Sequence, residues 1–128
     1  MVGKDRALSV CEEAISACGA DAAEAVLMVE TDSLTRFANS EIHQNTTVDS
    51  AELFVRAVLG TREGWASANQ ITGDAVREAA ARAVQMARVQ PENPEAPGLA
   101  DPAEYEEAEG CDEQTHCFTP AQRAQAVS

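Results

Sequence analysis

Leu34-Thr35-Arg36-Phe37-Ala38-Asn39-Ser40-Glu41-Ile42-His43-Gln44-Asn45 is the stretch that decides how this chain folds. Asn39-Ser40 are turn formers. The segments on either side are rich in Thr, Val, Ile and Phe, which suit a pleated strand. Two extended arms meeting at a tight turn make a β-hairpin. Its polar side chains are too many for burial on both faces, so one face must meet water, a groove or a partner.

Alternation along the second arm sharpens this reading. Glu41, His43, Asn45, Thr47 and Asp49 share one wholly polar face, and Ile42, Gln44, Thr46 and Val48 share the other. Upstream, Glu24 to Glu30 is a short apolar run that reads as a strand; Thr31-Asp32-Ser33 either bends the chain or carries one long strand on to Ala38. Downstream, Ala51 to Leu59 is the best central strand, with Leu53, Val55, Ala57 and Leu59 pointing one way. Gly60 to Gly64 reads as a turn with a glycine at each end. Trp65 to Asn69 reads as a further strand, its lone Trp more naturally a core plug than an anchor.

Helices flank these strands. Leu8, Cys11, Ile15 and Cys18 recur at spacings of three and four, which predicts a helix over Lys4–Cys18 with that apolar stripe. Gly19 follows as a left-handed cap. Val76, Ala79, Ala80, Ala83, Val84 and Ala87 form the stripe of a second helix, capped by Thr72 or Asp74 and ended by Pro91. The expected fold is α+β: a helix, a four-stranded mainly antiparallel sheet and a helix, with both helices packed on one face. This domain should occupy residues 1–90.

Residues 91–128 differ in composition. Glu92 to Glu113 holds nine acidic residues and no basic ones, with prolines at 94, 97 and 102. It reads as an acidic, solvated connector, extended and mobile. Thr119-Pro120 then signals a helix start, with Thr as cap and Pro at the first helical position. The helix over Ala121 to Val127 is cut short by the end of the sequence, as in a truncated domain.

Charge and length narrow the function. With 128 residues the chain suits one modest domain, and its formal charge of −13 opposes binding to a nucleic-acid backbone. No apolar run reaches transmembrane length, and the N-terminus lacks a signal-like apolar segment, so no membrane is expected and the expected location is cytoplasmic. The four cysteines are not a disulfide framework. Cys11 and Cys18 lie roughly 10 Å apart along a helix, too far for a bridge. Cys111, His116 and Cys117 do not have zinc-knuckle spacing. His116 and Cys117 are adjacent and therefore diverge, and acidic neighbours raise a thiol's pKa, so a Cys-His nucleophile is disfavoured. No phosphate loop or nucleophile elbow is present.

Arg36-Phe37-Ala38-Asn39-Ser40 with Ile42-His43-Gln44, followed by FVRAVLGTREGWASANQIT and an Ala-rich helix, resembles the N-terminal domain of the TldD/PmbA family. The resemblance runs from about Ala7 to Val127. Members of that family are regarded as zinc metallopeptidases, with a His-Glu-x-x-x-His helix in a later portion. Neither His43 nor His116 is followed by a glutamate, so no catalytic residue or zinc ligand is carried over to this chain, and zinc is expected only in the part that follows. Whether the chain is an enzyme is left open.

The resemblance implies a non-catalytic portion of a metallopeptidase, contributing to substrate enclosure and subunit assembly for peptide proteolysis. The implied partners are the remainder of the peptidase, a homologous subunit and a peptide substrate. Arg36, Asn39, His43 and Asn45 are the candidates for contact with substrate or partner; ordinary strand polarity accounts for them equally well. The alternatives are a free-standing interaction module pairing with a full-length relative and, on charge alone, an acidic decoy.

Overall fold

A computed structural model describes residues 2–39, 41–101, 103–104, 106, 108 and 110–126. The chain runs α1 (Lys4–Cys18), β1 (Ala22–Ala38), β2 (Glu41–Leu59), β3 (Arg62–Ala68), α2 (Gly73–Val89), α3 (Glu113–His116) and α4 (Pro120–Ala126). It is an α+β fold with one sheet in the order β1-β2-β3. Backbone contacts group it into two compact units, residues 1–30 with 49–101 and residues 31–48 with 102–128.

The sheet has three strands rather than the four expected. Thr31 to Ser33 do not bend β1, and Asp49-Ser50 do not divide the second hairpin arm from the central strand. Asp and Ser are frequent in turns, but neither position supplies the glycine or proline that would break a strand. The result is a long β2 between two partners, with β1 alongside and β3 pairing antiparallel only over Leu53–Leu59.

The core of the first unit lies between the helices and one sheet face. Leu53, Val55 and Ala57 of β2 are fully buried, as are Val76, Ala79, Ala80, Ala83 and Ala87 of α2. The alternation of β2 and the stripe of α2 are therefore as the sequence predicts. Ala23, Ala25 and Leu27 of β1 and Ala66 and Ala68 of β3 pack against the same cluster. Thr72 caps α2 by accepting the Ala75 N–H at 3.4 Å. Gln90, just before Pro91, is already extended (φ −72°, ψ 147°).

α1 has the expected limits, but its buried face is rotated. Val10, Ala14 and Cys18 are buried, whereas Leu8 is 51 % and Ile15 42 % exposed. α1 packs on α2, whose contact surface is largely alanine. Small residues let two helix backbones approach closely, so the stripe of smaller side chains faces inward. Burial pushes the Cys18 thiol pKa above its ordinary value.

Gly64 is a strand residue rather than a turn residue, and the turn shrinks to Gly60-Thr61. Gly60 has φ 60°, the first position of a two-residue hairpin where glycine is favoured. Asp21 holds this turn: its carboxylate accepts the Gly60 N–H at 2.8 Å, and its own N–H donates to the Val58 carbonyl at 3.0 Å. Gly64 is needed for a different reason. A Cβ there would overlap the backbone of Ala83 and Ala87, so α2 rests directly on β3 at this point.

Candidate functional site

Arg36, Asn39, His43 and Asn45 all fall in the hairpin of the second unit, and all four are exposed. Asn39 sits at the turn with φ 52°, the one described non-glycine residue in the left-handed region, which asparagine tolerates well. The hydroxyls of Ser33 and Thr47 lie 3.1 Å apart, and Thr35 donates to Asn45 Oδ1 at 3.3 Å. Moving two residues along β1 thus moves the partner two residues back along β2, as antiparallel arms require.

These contacts place Ser33 and Thr35 beside Asn45 and Thr47 on one face. Strand alternation puts His43 on that face and Arg36 on the other. The structure therefore does not gather the four candidates into one site. Asn45 and His43 share a surface, Asn39 is at its tip, and Arg36 points away from it.

A residue not singled out in the sequence organises this face. Arg123 of α4 donates from Nε to Thr35 Oγ1 at 3.1 Å and from Nη2 to Asn45 Oδ1 at 3.2 Å. Its Nη1 donates to the Phe118 carbonyl at 2.8 Å. The helix that carries it starts with a capping box. Thr119 Oγ1 accepts the Gln122 N–H at 3.3 Å, and Gln122 Oε1 accepts the Thr119 N–H at 2.8 Å. The available signal was charge, since Arg123 is the only Lys or Arg after Arg88.

Beside Arg123 lies a cleft of about 660 Å³ whose lining includes Ser33, Asp112, His116, Phe118 and Arg123. Asp112 and Arg123 of this lining are engaged in local structure. Asp112 caps α3 by accepting the Thr115 N–H at 2.7 Å, and that bond lowers its pKa. The Cys117 thiol donates to Glu113 Oε1 at 3.3 Å, which raises the thiol's pKa first, ahead of desolvation and Cys111. The thiol is thus directed to a carboxylate rather than to His116, and no nucleophile–base pair forms. Among the described residues no three His, Cys, Asp or Glu side chains converge as metal ligands need to. The described part of this chain does not supply a zinc donor set.

Trp65 also departs from expectation. It is 57 % exposed on the sheet face opposite the helices, with the Arg56 guanidinium 5.2 Å from its ring centroid. Trp65 is the cross-strand partner of Arg56. Core position Gly64 precedes it, so alternation turns the indole outward. Arg56 is held by Glu63 at 2.7 Å and Glu24 at 3.5 Å, and the Glu63 hydrogen bond is the main cause of its raised pKa.

The fold and this surface define an α+β domain with a long hairpin. The family model described as PmbA/TldA metallopeptidase domain 1 matches residues 23–87, and the chain belongs to that family. The fold is also that of two solved structures. TldE from Thermococcus kodakarensis aligns with a TM-score of 0.69 at 20 % identity, over 80 % of this chain and 23 % of that one. A proposed modulator of DNA gyrase from Bacteroides thetaiotaomicron aligns with a TM-score of 0.69 at 17 % identity, over 98 % of this chain and 30 % of that one. The chain thus spans less than a third of the length of either. No curated protein sequence matches it.

Proposed function

We propose that this chain is the non-catalytic first domain of a TldD/PmbA-type metallopeptidase, serving substrate enclosure and subunit assembly for peptide proteolysis. The observation that carries the reading is the family match to domain 1. It fits a chain in which no three described donor side chains converge. On this reading the zinc and its activating carboxylate are supplied by a later part of the polypeptide. This domain contributes the hairpin face of His43, Asn45 and Thr47, placed for contact with a peptide or a homologous subunit.

The test is His43→Ala in the longer polypeptide. His43 is exposed on β2, so the variant should keep its melting temperature and lose assembly or peptide turnover. Unchanged assembly and turnover would remove the hairpin from the account.

A further inference from the structure

β1 stands at one end of the strand order β1-β2-β3, so its outer border carries a row of backbone N–H and C=O groups. Among the described residues, no backbone hydrogen bond from another element reaches residues 32–37. Asp32, Leu34 and Arg36 are all exposed there. A row of alternating donors and acceptors is answered by another extended chain.

The side chains select which chain. Alternation puts Asp32, Leu34 and Arg36 on one face of the hairpin, opposite to the face of Ser33 and Thr35. Ser33 meets Thr47 and Thr35 meets Asn45, so their neighbours on that face of β2 are Gln44, Thr46 and Val48, none of them charged. Among the described residues neither Asp32 nor Arg36 forms an ion pair. A charged edge strand ordinarily repels its own kind. Here the order acid, apolar residue, base is self-complementary. A two-fold axis through Leu34 sets Arg36 of each copy opposite Asp32 of the other and packs Leu34 against Leu34. Directly opposed residues of antiparallel strands share a face, and opposite charges in such positions attract. Asp32 and Arg36 are the only Asp, Glu, Lys or Arg in residues 31–37, so this pairing opposes no like charges within that stretch, in a chain of formal charge −13.

We propose that β1 pairs antiparallel with β1 of a second copy over residues 31–37, centred on Leu34 and held in register by two Asp32–Arg36 pairs. The proposal uses neither a metal nor the face of His43, so it stands apart from the peptidase reading.

The test is sedimentation velocity on the 128-residue chain over a concentration series reaching high micromolar, at low salt. The chain should show a monomer–dimer equilibrium that weakens as salt is added. Arg36→Asp should weaken the dimer by about tenfold or more, because two attractive pairs become repulsive. Asp32→Arg should weaken it as well, since it sets Arg against Arg, although it lowers the chain's net negative charge. The two substitutions together restore both pairs with their signs exchanged, and the dimer should return. Amides of residues 32–36 should exchange more slowly in the dimer than in the monomer. Because both side chains are exposed, each variant should keep its far-UV circular dichroism.

A chain that stays monomeric throughout the series would overturn the proposal. So would a dimer that Asp32→Arg strengthens, because bulk charge rather than register would then govern it. A dimer indifferent to both reversals but lost on His43→Ala would move the contact to the other face of the hairpin and also overturn it.

Discussion

Arg123 donates to the Asn45 side chain at 3.2 Å, across 78 residues of sequence, and so ties the last helix to the polar face of the hairpin. The same guanidinium reaches Thr35 on the other arm. A two-stranded hairpin is marginal by itself in water, and a cross-link from one rigid cation to both arms is what such an element needs. Arg123→Ala should therefore loosen residues 31–48 and 120–126 together. Hydrogen exchange should accelerate in both segments while the buried amides of β2 around Val55 stay protected. Faster exchange at Val55 as well would mean that the two units do not open independently.

Gly64→Ala should be among the most damaging single-methyl additions in the chain. The added carbon has no free side chain to displace, only the backbone of α2 at Ala83 and Ala87. Overpacking of this kind costs on the order of 3 kcal/mol. Urea denaturation measures it directly. A loss under about 0.5 kcal/mol, the range of ordinary surface changes, would show that α2 can shift freely on β3.

The rotated face of α1 gives a paired prediction. Leu53→Ala removes a fully buried side chain and should cost about 2–4 kcal/mol. Leu8→Ala removes one that is half exposed and should cost less than about 1 kcal/mol. Equal losses would restore the stripe of Leu8, Cys11, Ile15 and Cys18 as the packed face.

Thiol chemistry tests the contacts of α3. The Glu113 carboxylate accepts the Cys117 hydrogen and holds the proton on, so the folded pKa lies above that of a free thiol. Whatever stability this contact adds is present at neutral pH and is lost as pH rises through the raised pKa. Iodoacetamide should accordingly modify Cys117 more slowly than a free thiol near neutral pH, and Glu113→Gln should accelerate that reaction while leaving buried Cys18 unaffected. No acceleration would dissociate the thiol from Glu113.

The parts of the fold legible in the sequence are those fixed by local rules. The α2 stripe was readable because six apolar residues share one helical face and no competing stripe exists. The limits of α1 followed from Gly19, yet its buried face did not, because Leu8–Ile15 and Val10–Cys18 have the same periodicity. Only the alanine surface of α2, a tertiary fact, distinguishes them. Trp65 misled for a similar reason: its size argues for burial, but alternation turns it outward because its neighbour Gly64 faces the backbone of α2. In the hairpin, the polar face was readable from alternation. Its partner Arg123 was not, because nothing local links residues 78 positions apart.

Metal content of the purified chain tests the central claim most directly. After exposure to zinc and exhaustive dialysis, the 128-residue chain should retain no stoichiometric zinc and should hydrolyse no peptide, because the described His, Cys, Asp and Glu side chains do not converge in threes. One tightly held zinc per chain, lost on His116→Ala or Cys117→Ala, would contradict the account and place a metal centre in the segment read here as non-catalytic.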